Sequence, residues 1–450
     1  MKLFHAADIH LGRRRLDGRL PETDLAEAFA FIADKAIAEK ADLFLIAGDL
    51  FDRPTVEPPH LRQAQQVLGR LKSNGIPVIA IEGNHDRAML HSDDQTWVQY
   101  LAEDDLLVLL RTTFDSTGPI LTPWDTVSKS GSWIEYGGIR FVGAGYLGAA
   151  TPFKVRQIIS RLDNDSVHVL LLHAGPDYFV GEGGGFSSED LKLLQEKICY
   201  LALGHIHRPM LHGGWACNPG SPENCEIREA GYDTNSTGAS VNRGYAVVEL
   251  DPAERSKPVD LQIYANPRRP VIRLTLDCSP FGNKTRNGAA ALVEAAVRLI
   301  RVAGPPMEAV IDLRLTGRLN LNRIALDQSL AATEIEKEAQ VFAVSIDLSG
   351  LSVGGLLPSD QMAGKIVTRE ELEKGAIRDA FQKRYGLGIE DREADLCAFF
   401  YELKESVRHG RSGIELTAQI ERSALIDLVQ PESRDASDYP PTPEIQEVTA

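Results

Sequence analysis

The feature that most constrains this chain is a repeated junction, in which a short apolar run ends on Asp, Asn or His. Residues 3–7 (Leu-Phe-His-Ala-Ala) run into Asp8-Ile9-His10, and residues 43–47 run into Gly48-Asp49. Residues 77–81 lead to Gly83-Asn84-His85-Asp86, 169–172 to His173, and the shorter 201–203 to Gly204-His205-Ile206-His207. Continuous apolar runs of strand length suit strands buried on both faces. Open α/β sheets build their sites at the C-terminal ends of such strands. A single His after a strand is ordinarily a core or surface histidine. The same junction repeated in order predicts side chains gathered along one edge.

Helical periods separate the first three runs. In residues 22–40, Leu25, Ala28, Phe29, Ile32, Ala36 and Ile37 recur at spacings of three and four. In residues 58–73 the stripe is Leu61, Ala64, Leu68 and Leu71, closed by Asn74-Gly75. Strand-helix alternation of this kind specifies a layered α/β domain. Further strands are expected at 106–110, 118–121, 132–136 and 139–142, the last two joined through Gly137-Gly138 as a tight hairpin. A central strand is expected at 167–172, with strands at 244–250 and 259–264 after it. The glycine-rich residues 181–185 lack the Lys-Ser/Thr ending of a nucleotide loop.

Asn266-Pro267-Arg268-Arg269-Pro270 reads as a hinge. The expected division is a first domain at 1–265 and a small strand-helix-strand-helix-strand domain at 266–350. A mainly helical region at 360–430 would follow, suited to docking a partner. Residues 431–450, rich in Pro, Ser, Asp and Glu, read as a disordered tail.

Composition narrows the class. There is no run of about 18 apolar residues, so no membrane span is expected. The chain opens on a strand and a ligand pair rather than a basic leader. The five cysteines are scattered without a Cys-x-x-Cys pair, which argues against a disulfide framework and a zinc knuckle. A cytoplasmic protein is the expectation. The net charge of −16 disfavours a broadly basic DNA-binding surface. Arg13-Arg14-Arg15 form a local positive cluster beside His10, readable as a solvated loop or as a lip that contacts phosphates.

Asp and Asn oxygens with His nitrogens suit Mn²⁺, Fe²⁺ or Zn²⁺. Asp8, His10, Asp49, Asn84, His173, His205 and His207 exceed what one octahedral ion needs. Two ions sharing a carboxylate would use them, with Asp49 as the bridge. Such a pair, about 3.5–4 Å apart, activates a water and clamps a phosphate. His85, beside Asn84, is assigned to the substrate, either donating a proton to the leaving oxygen or binding the phosphate. Asp86 is expected to orient His85 or to cap the following turn. His205 and His207 alternate across Ile206, so in a strand they would share one face and serve one ion each.

These motifs, in this order, resemble those of the calcineurin-like metallophosphoesterases. Asp8-Ile9-His10-Leu11-Gly12, Gly48-Asp49-Leu50-Phe51-Asp52, Gly83-Asn84-His85-Asp86 and Asn218-Pro219-Gly220-Ser221 resemble the Mre11/SbcD-type DNA repair nucleases more narrowly. The resemblance implies a sandwich of two β-sheets flanked by helices, with a small α/β capping domain that contacts DNA. It implies that Asp8, His10, Asp49 and His207 hold one metal, and that Asp49, Asn84, His173 and His205 hold the other. It also implies Mn²⁺-dependent 3′-to-5′ exonuclease and endonuclease activity, homodimerisation, and a Rad50/SbcC-like ATPase partner. Such a protein would be nucleoid-associated when on DNA. Asp52 stands where archaeal and eukaryotic members have His, which points to the bacterial type, and Asp52 is expected to support the ligands from behind. A small-molecule or nucleotide phosphodiesterase would use the same metals, and a non-enzymatic scaffold is the remaining class.

Overall fold

A computed structural model describes residues 1–87, 95–180, 184–233, 241–253, 257–281, 288–319, 328–353 and 399–403. The chain divides into two units, Met1–Gly354 and Gly355–Ala450, and the first carries the site. The expected helical region at 360–430, apart from 399–403, and the tail at 431–450 lie outside the described residues. So do 181–183 of the glycine-rich loop.

Alternation along the strands decides the layers. Leu3, Leu43, Leu45, Ile79 and Ile81 point into one core with Phe141, Val169, Leu171, Tyr200 and Ala202. Their neighbours Phe4, Phe44, Ile46, Val78 and Ala80 point the other way, onto a core with Phe29, Ile32, Leu68 and Leu71. Leu170, Leu172, Leu201 and Leu203 likewise face Val155, Ile158, Leu191 and Leu194. Every central strand is thus covered on both faces, which is why each reads as an unbroken apolar run. The result is two sheets packed face to face, with a helical layer outside each.

Among the described residues, the first sheet has six strands in the order Asp260–Ala265, Gly244–Glu249, Lys2–Ala6, Leu43–Ala47, Val78–Ile81, Val108–Leu109. The second also has six, in the order Met210–His212, Ala216–Asn218, Ile198–Leu203, Val167–Leu172, Ile139–Gly145, Trp133–Tyr136. Lys2–Ala6, Leu43–Ala47 and Val78–Ile81 are parallel, with Ala6 level with Ile46 and Ala47 level with Ile81. Val167–Leu172 and Ile198–Leu203 are also parallel, and Leu172 is level with Leu203. The ligand-bearing junctions of each sheet therefore leave from a common edge.

The helices Thr23–Ala38 and Pro58–Ser73 bury the expected stripes, except that Ile37 and Leu61 are only partly covered while His60 and Val67 are buried. Gly137 and Gly138 both have positive φ (58° and 78°), as a two-residue hairpin turn requires. A strand expected at 106–110 is only Val108–Leu109. A helix at Trp97–Glu103, not read from the sequence, places Val98, Leu101 and Ala102 in the core.

After Ala265 the chain leaves the first sheet. Val271–Asp277, Val310–Leu319 and Ala343–Val353 form a separate parallel three-stranded sheet, joined through the helices Gly288–Ala303 and Gln328–Ala339. Its core is Leu292, Ala296, Ile300, Ile311, Leu313 and Ile335. Among the described residues no helix is long and apolar enough to cross a membrane.

Candidate metal centre

The junctions turn sharply as they leave the sheets. Asp8, His10, Asp49 and His205 all have left-handed backbone (φ 54°, 52°, 52° and 83°). Non-glycine residues adopt this conformation at a cost, and such strain gathers at functional sites. Two junctions are knitted together: Ile9 and His10 each donate a backbone N–H to Asp49 O (2.9 and 3.0 Å), and Leu11 donates to Leu50 O at 3.0 Å. Glycine is needed where these loops touch. A Cβ on Gly83 would lie 1.9 Å from Asp49 Oδ1, and one on Gly48 would lie 2.3 Å from His173 Nδ1.

The second sheet closes onto the first through the ligand residues themselves. His173 Nδ1 donates to Ala47 O at 2.8 Å, and the His205 N–H donates to Asp8 Oδ1 at 2.9 Å. His173 Nε2 then faces Asp49 Oδ2 at 3.2 Å and Asn84 Oδ1 at 3.2 Å. His205 Nδ1 lies 3.0 Å from the same Asn84 oxygen. On the other side of Asp49, His10 Nε2 is 3.7 Å from Asp49 Oδ2 and 3.0 Å from His207 Nε2. All seven side chains expected as ligands are brought together, in two groups with Asp49 between them.

The donor set fits cations. The His207 Nδ1–H donates to Glu229 Oε1 at 2.7 Å, which in the neutral ring leaves a lone pair on Nε2. His10 Nδ1 faces Asp52 Oδ1 at 3.4 Å without a formed hydrogen bond, which favours its lone pair on Nε2 as well. Two lone pairs 3.0 Å apart repel unless a proton or a cation lies between them. His173 is alike, since its Nε2 is surrounded by acceptors once Nδ1–H is spent on Ala47. Among the described residues Asp8 Oδ2 is buried without a hydrogen-bond partner, and Asp8, His10 and Asp49 each offer a donor atom within 4.8 Å of the others. The clusters are candidates for a di-metal centre.

The electrostatics agree. Burial alone would lower the pKa of His173, but Asp49 and Asp8 lift it to about 9. Burial likewise opposes the charge on His207, and Cys225 and Glu229 raise its pKa to about 12. His205 is held down to about 4 by burial and by the positive His173. Despite burial, Asp49 is pushed well below the usual carboxylate range by His173, His10 and His85.

Around the centre, His85 Nδ1 donates to the Asp52 carbonyl at 2.8 Å, and its ring stands edge-on to His10 at 4.8 Å. Asp52 accepts from Arg13 Nη1 at 2.9 Å, and its pKa falls to about 2 because His10 and Arg13 outweigh its burial. Asp52 thus steadies His10 with its side chain and His85 with its backbone. Among the described residues, the Asp86 carboxylate makes its hydrogen bonds to backbone N–H groups rather than to the His85 ring. It accepts the N–H groups of Leu50, Phe51 and Gly83 (3.3, 3.0 and 2.9 Å), so it pins the second junction to the third.

The expected phosphate lip is not one surface. Arg15 is buried, pairing with Asp24 at 2.7 Å and Glu223 at 3.5 Å. Arg13 is half-covered by Asp52, Glu226 and the Cys225 carbonyl. Arg14 alone of the three is open, with 67% of its side chain exposed. His205 and His207 also depart from expectation. The strand ends at Leu203, and both histidines lie in the loop beyond it. Residues the sequence reading missed are Glu229, which fixes His207, and Tyr146, whose ring lies 5.4 Å from His205 and 6.2 Å from His173. Neither belongs to a motif, and only the fold brings them in.

A helix-flanked double sheet with an Asp/Asn/His di-metal cluster at one edge is the architecture of a metallophosphoesterase. Residues 1–209 match the family model for calcineurin-like phosphoesterases. The chain is similar to proteins named DNA double-strand break repair protein Mre11. The one from Archaeoglobus fulgidus is 29% identical over 233 residues, covering 51% of this chain and 52% of the relative. The one from Aeropyrum pernix is 30% identical over 219 residues, covering 47% and 50%. The one from Sulfurisphaera tokodaii is 28% identical over 249 residues, covering 53% and 59%. The chain thus matches about half the length of these relatives. All three are archaeal, which withdraws support from the bacterial type that Asp52 suggested.

Proposed function

We propose that this chain hydrolyses phosphodiester bonds in DNA, as a 3′-to-5′ exonuclease with endonuclease activity. The observation that carries the reading is Asp49, set between the His10–His207 and Asn84–His173–His205 groups with donor atoms converging from both sheets. The similarity to proteins named for double-strand break repair supports DNA as the substrate.

Asp8, His10, Asp49 and His207 would hold one ion, and Asp49, Asn84, His173 and His205 the other. Mn²⁺ is preferred, with Fe²⁺ or Zn²⁺ as alternatives. Bound dications polarise phosphate oxygens and supply a nucleophile at neutral pH. The chain does the rest. His85, with Nδ1–H held by the Asp52 carbonyl, would as the imidazolium present Nε2–H to the leaving 3′ oxygen and give it that proton, becoming the neutral ring. Asp52 and Asp86 keep the loops in place, and exposed Arg14 meets a phosphate further along the strand. The reading extends to a homodimer working in the cytoplasm with a Rad50/SbcC-like ATPase.

A small-molecule phosphodiesterase is the second reading, favoured by the charge of −16 and by the withdrawal of Arg15 from the surface. One assay separates them. The purified chain is given Mn²⁺ and DNA labelled at either end, with bis-p-nitrophenyl phosphate alongside and the His85→Ala protein as control. Stepwise shortening from 3′ ends, absent in the control, supports the nuclease. Turnover of the small diester with DNA left intact, even in the presence of the ATPase partner, refutes it.

A further inference from the structure

Among the described cysteines, Cys225 is the one that reaches the metal centre. One donor atom each from His10, His207 and Cys225 lie within 4.8 Å of one another. A Zn–S bond of about 2.3 Å and a Zn–N bond of about 2.1 Å span at most about 4.4 Å across one ion. A small rotation of these side chains therefore puts all three donors on the same ion.

The surroundings are built to hold them there. Buried Glu229 accepts from His207 Nδ1 at 2.7 Å and from the Cys225 backbone N–H at 2.9 Å, so one carboxylate fixes the ring and the thiol-bearing residue together. Arg13 donates Nε to the Cys225 carbonyl at 3.2 Å and Nη1 to Asp52 at 2.9 Å, and Asp52 faces His10. The ring of contacts closes where His10 meets His207 at 3.0 Å. An independent sign of a ligand is Asp8, whose buried Oδ2 has no hydrogen-bond partner among the described residues and whose cluster shares His10. The thiol lies against His207, and its contact with Glu223 O, at 4.0 Å, is at the limit for sulfur.

We propose that Cys225 is a thiolate ligand of the metal position held by His10 and His207, making that position softer than its neighbour. The proposal rests on the metallophosphoesterase reading above. On binding, the S–H bond breaks, the sulfur gives its electron pair to the ion, and the proton leaves to solvent. Thiolates favour Zn²⁺ and Fe²⁺ over Mn²⁺. The position with Asn84 keeps a sulfur-free set of oxygens and nitrogens that suits Mn²⁺, so this chain is arranged for two unlike ions.

The test needs no substrate. The full chain is loaded with Co²⁺ and its absorption recorded, and Zn²⁺ is then set against Mn²⁺ for the same sites. A near-ultraviolet sulfur-to-cobalt band that saturates at a single ion per chain is expected. Cys225→Ser and Cys225→Ala should both lose it while still binding cobalt. Replacing the thiol should cut the preference for Zn²⁺ over Mn²⁺ by about tenfold. Two bound cobalt ions with no such band, or a band that survives in both variants, overturns the proposal. If neither variant folds, ¹¹³Cd resonance of the unmodified chain decides, since a thiolate ligand moves the signal far downfield of nitrogen and oxygen sites. A chain that bound no cobalt at all would instead sink the metal reading itself.

Discussion

At the residue scale, roles divide by what each side chain can face. His85 has one ring nitrogen on the Asp52 carbonyl and its ring against His10, and its donor atom clusters with His10 and Asp52 rather than with Asp8 and Asp49. His85→Ala should therefore cut cleavage by about 10²–10⁴-fold and leave metal content unchanged. Lost metal would place His85 among the ligands. Asp49 faces both groups, so Asp49→Ala should empty both positions by elemental analysis, and retention of one ion would end its bridging role.

The histidines also set a pH dependence. The pKa values of His173 and His207 rise above the ordinary 6.5, to about 9 and about 12. A raised folded-state value contributes stability that is fully present below pH 6.5 and is lost as pH climbs through the folded value. His205, lowered to about 4, acts in the opposite sense but only below pH 6.5. The metal-free protein should thus lose thermal stability steadily from pH 7 to 9, and saturating Mn²⁺, which takes the place of those protons, should flatten the slope. Melting temperatures at three pH values, with chelator and with metal, check both parts.

At the element scale, the strand edge was legible because burial on both faces forces an apolar run, and the run's end marks where ligands emerge. The loop after Leu203 was not legible. Alternation across Ile206 looks like a strand, but His205 takes φ 83° and the two rings turn to different groups. Glu229 was invisible for a different reason, because it reaches His207 only through a turn well removed in sequence. How tightly the junctions abut is also a property of the fold. Gly83 and Asp49 are in contact across two loops, so Gly83→Ala must displace Asp49 or the backbone. Overpacking of this kind costs about 1–3 kcal/mol. The variant should stay folded by circular dichroism yet bind metal far more weakly, and unchanged metal affinity would mean that the loops can part freely.

At the scale of the whole molecule, the sequence marked a change of sheet at residues 266–270 but not what holds the two sides together. Sequence adjacency made Arg13, Arg14 and Arg15 look like one basic lip, whereas backbone direction sends them three ways. Arg15 turns inward to Asp24, and Arg269, within the 266–270 link, reaches the same carboxylate at 3.0 and 3.2 Å. Arg269 also lies over the Phe342 ring at 4.0 Å, while Arg19 pairs with Glu336 at 2.5 Å. Asp24 is thus the shared anchor between the sandwich and the three-stranded sheet, and it lies outside the metal centre. Asp24→Asn keeps its shape but strands buried Arg15 with only Glu223, at 3.5 Å, for charge balance. Breaking a buried ion pair costs about 3–5 kcal/mol. The variant should melt earlier and be cut sooner by protease near residues 266–270, with its metal stoichiometry intact. If melting and cleavage match the unaltered chain, the packing of Leu20, Ile227, Val310 and Ala343 holds the two parts without help from Asp24.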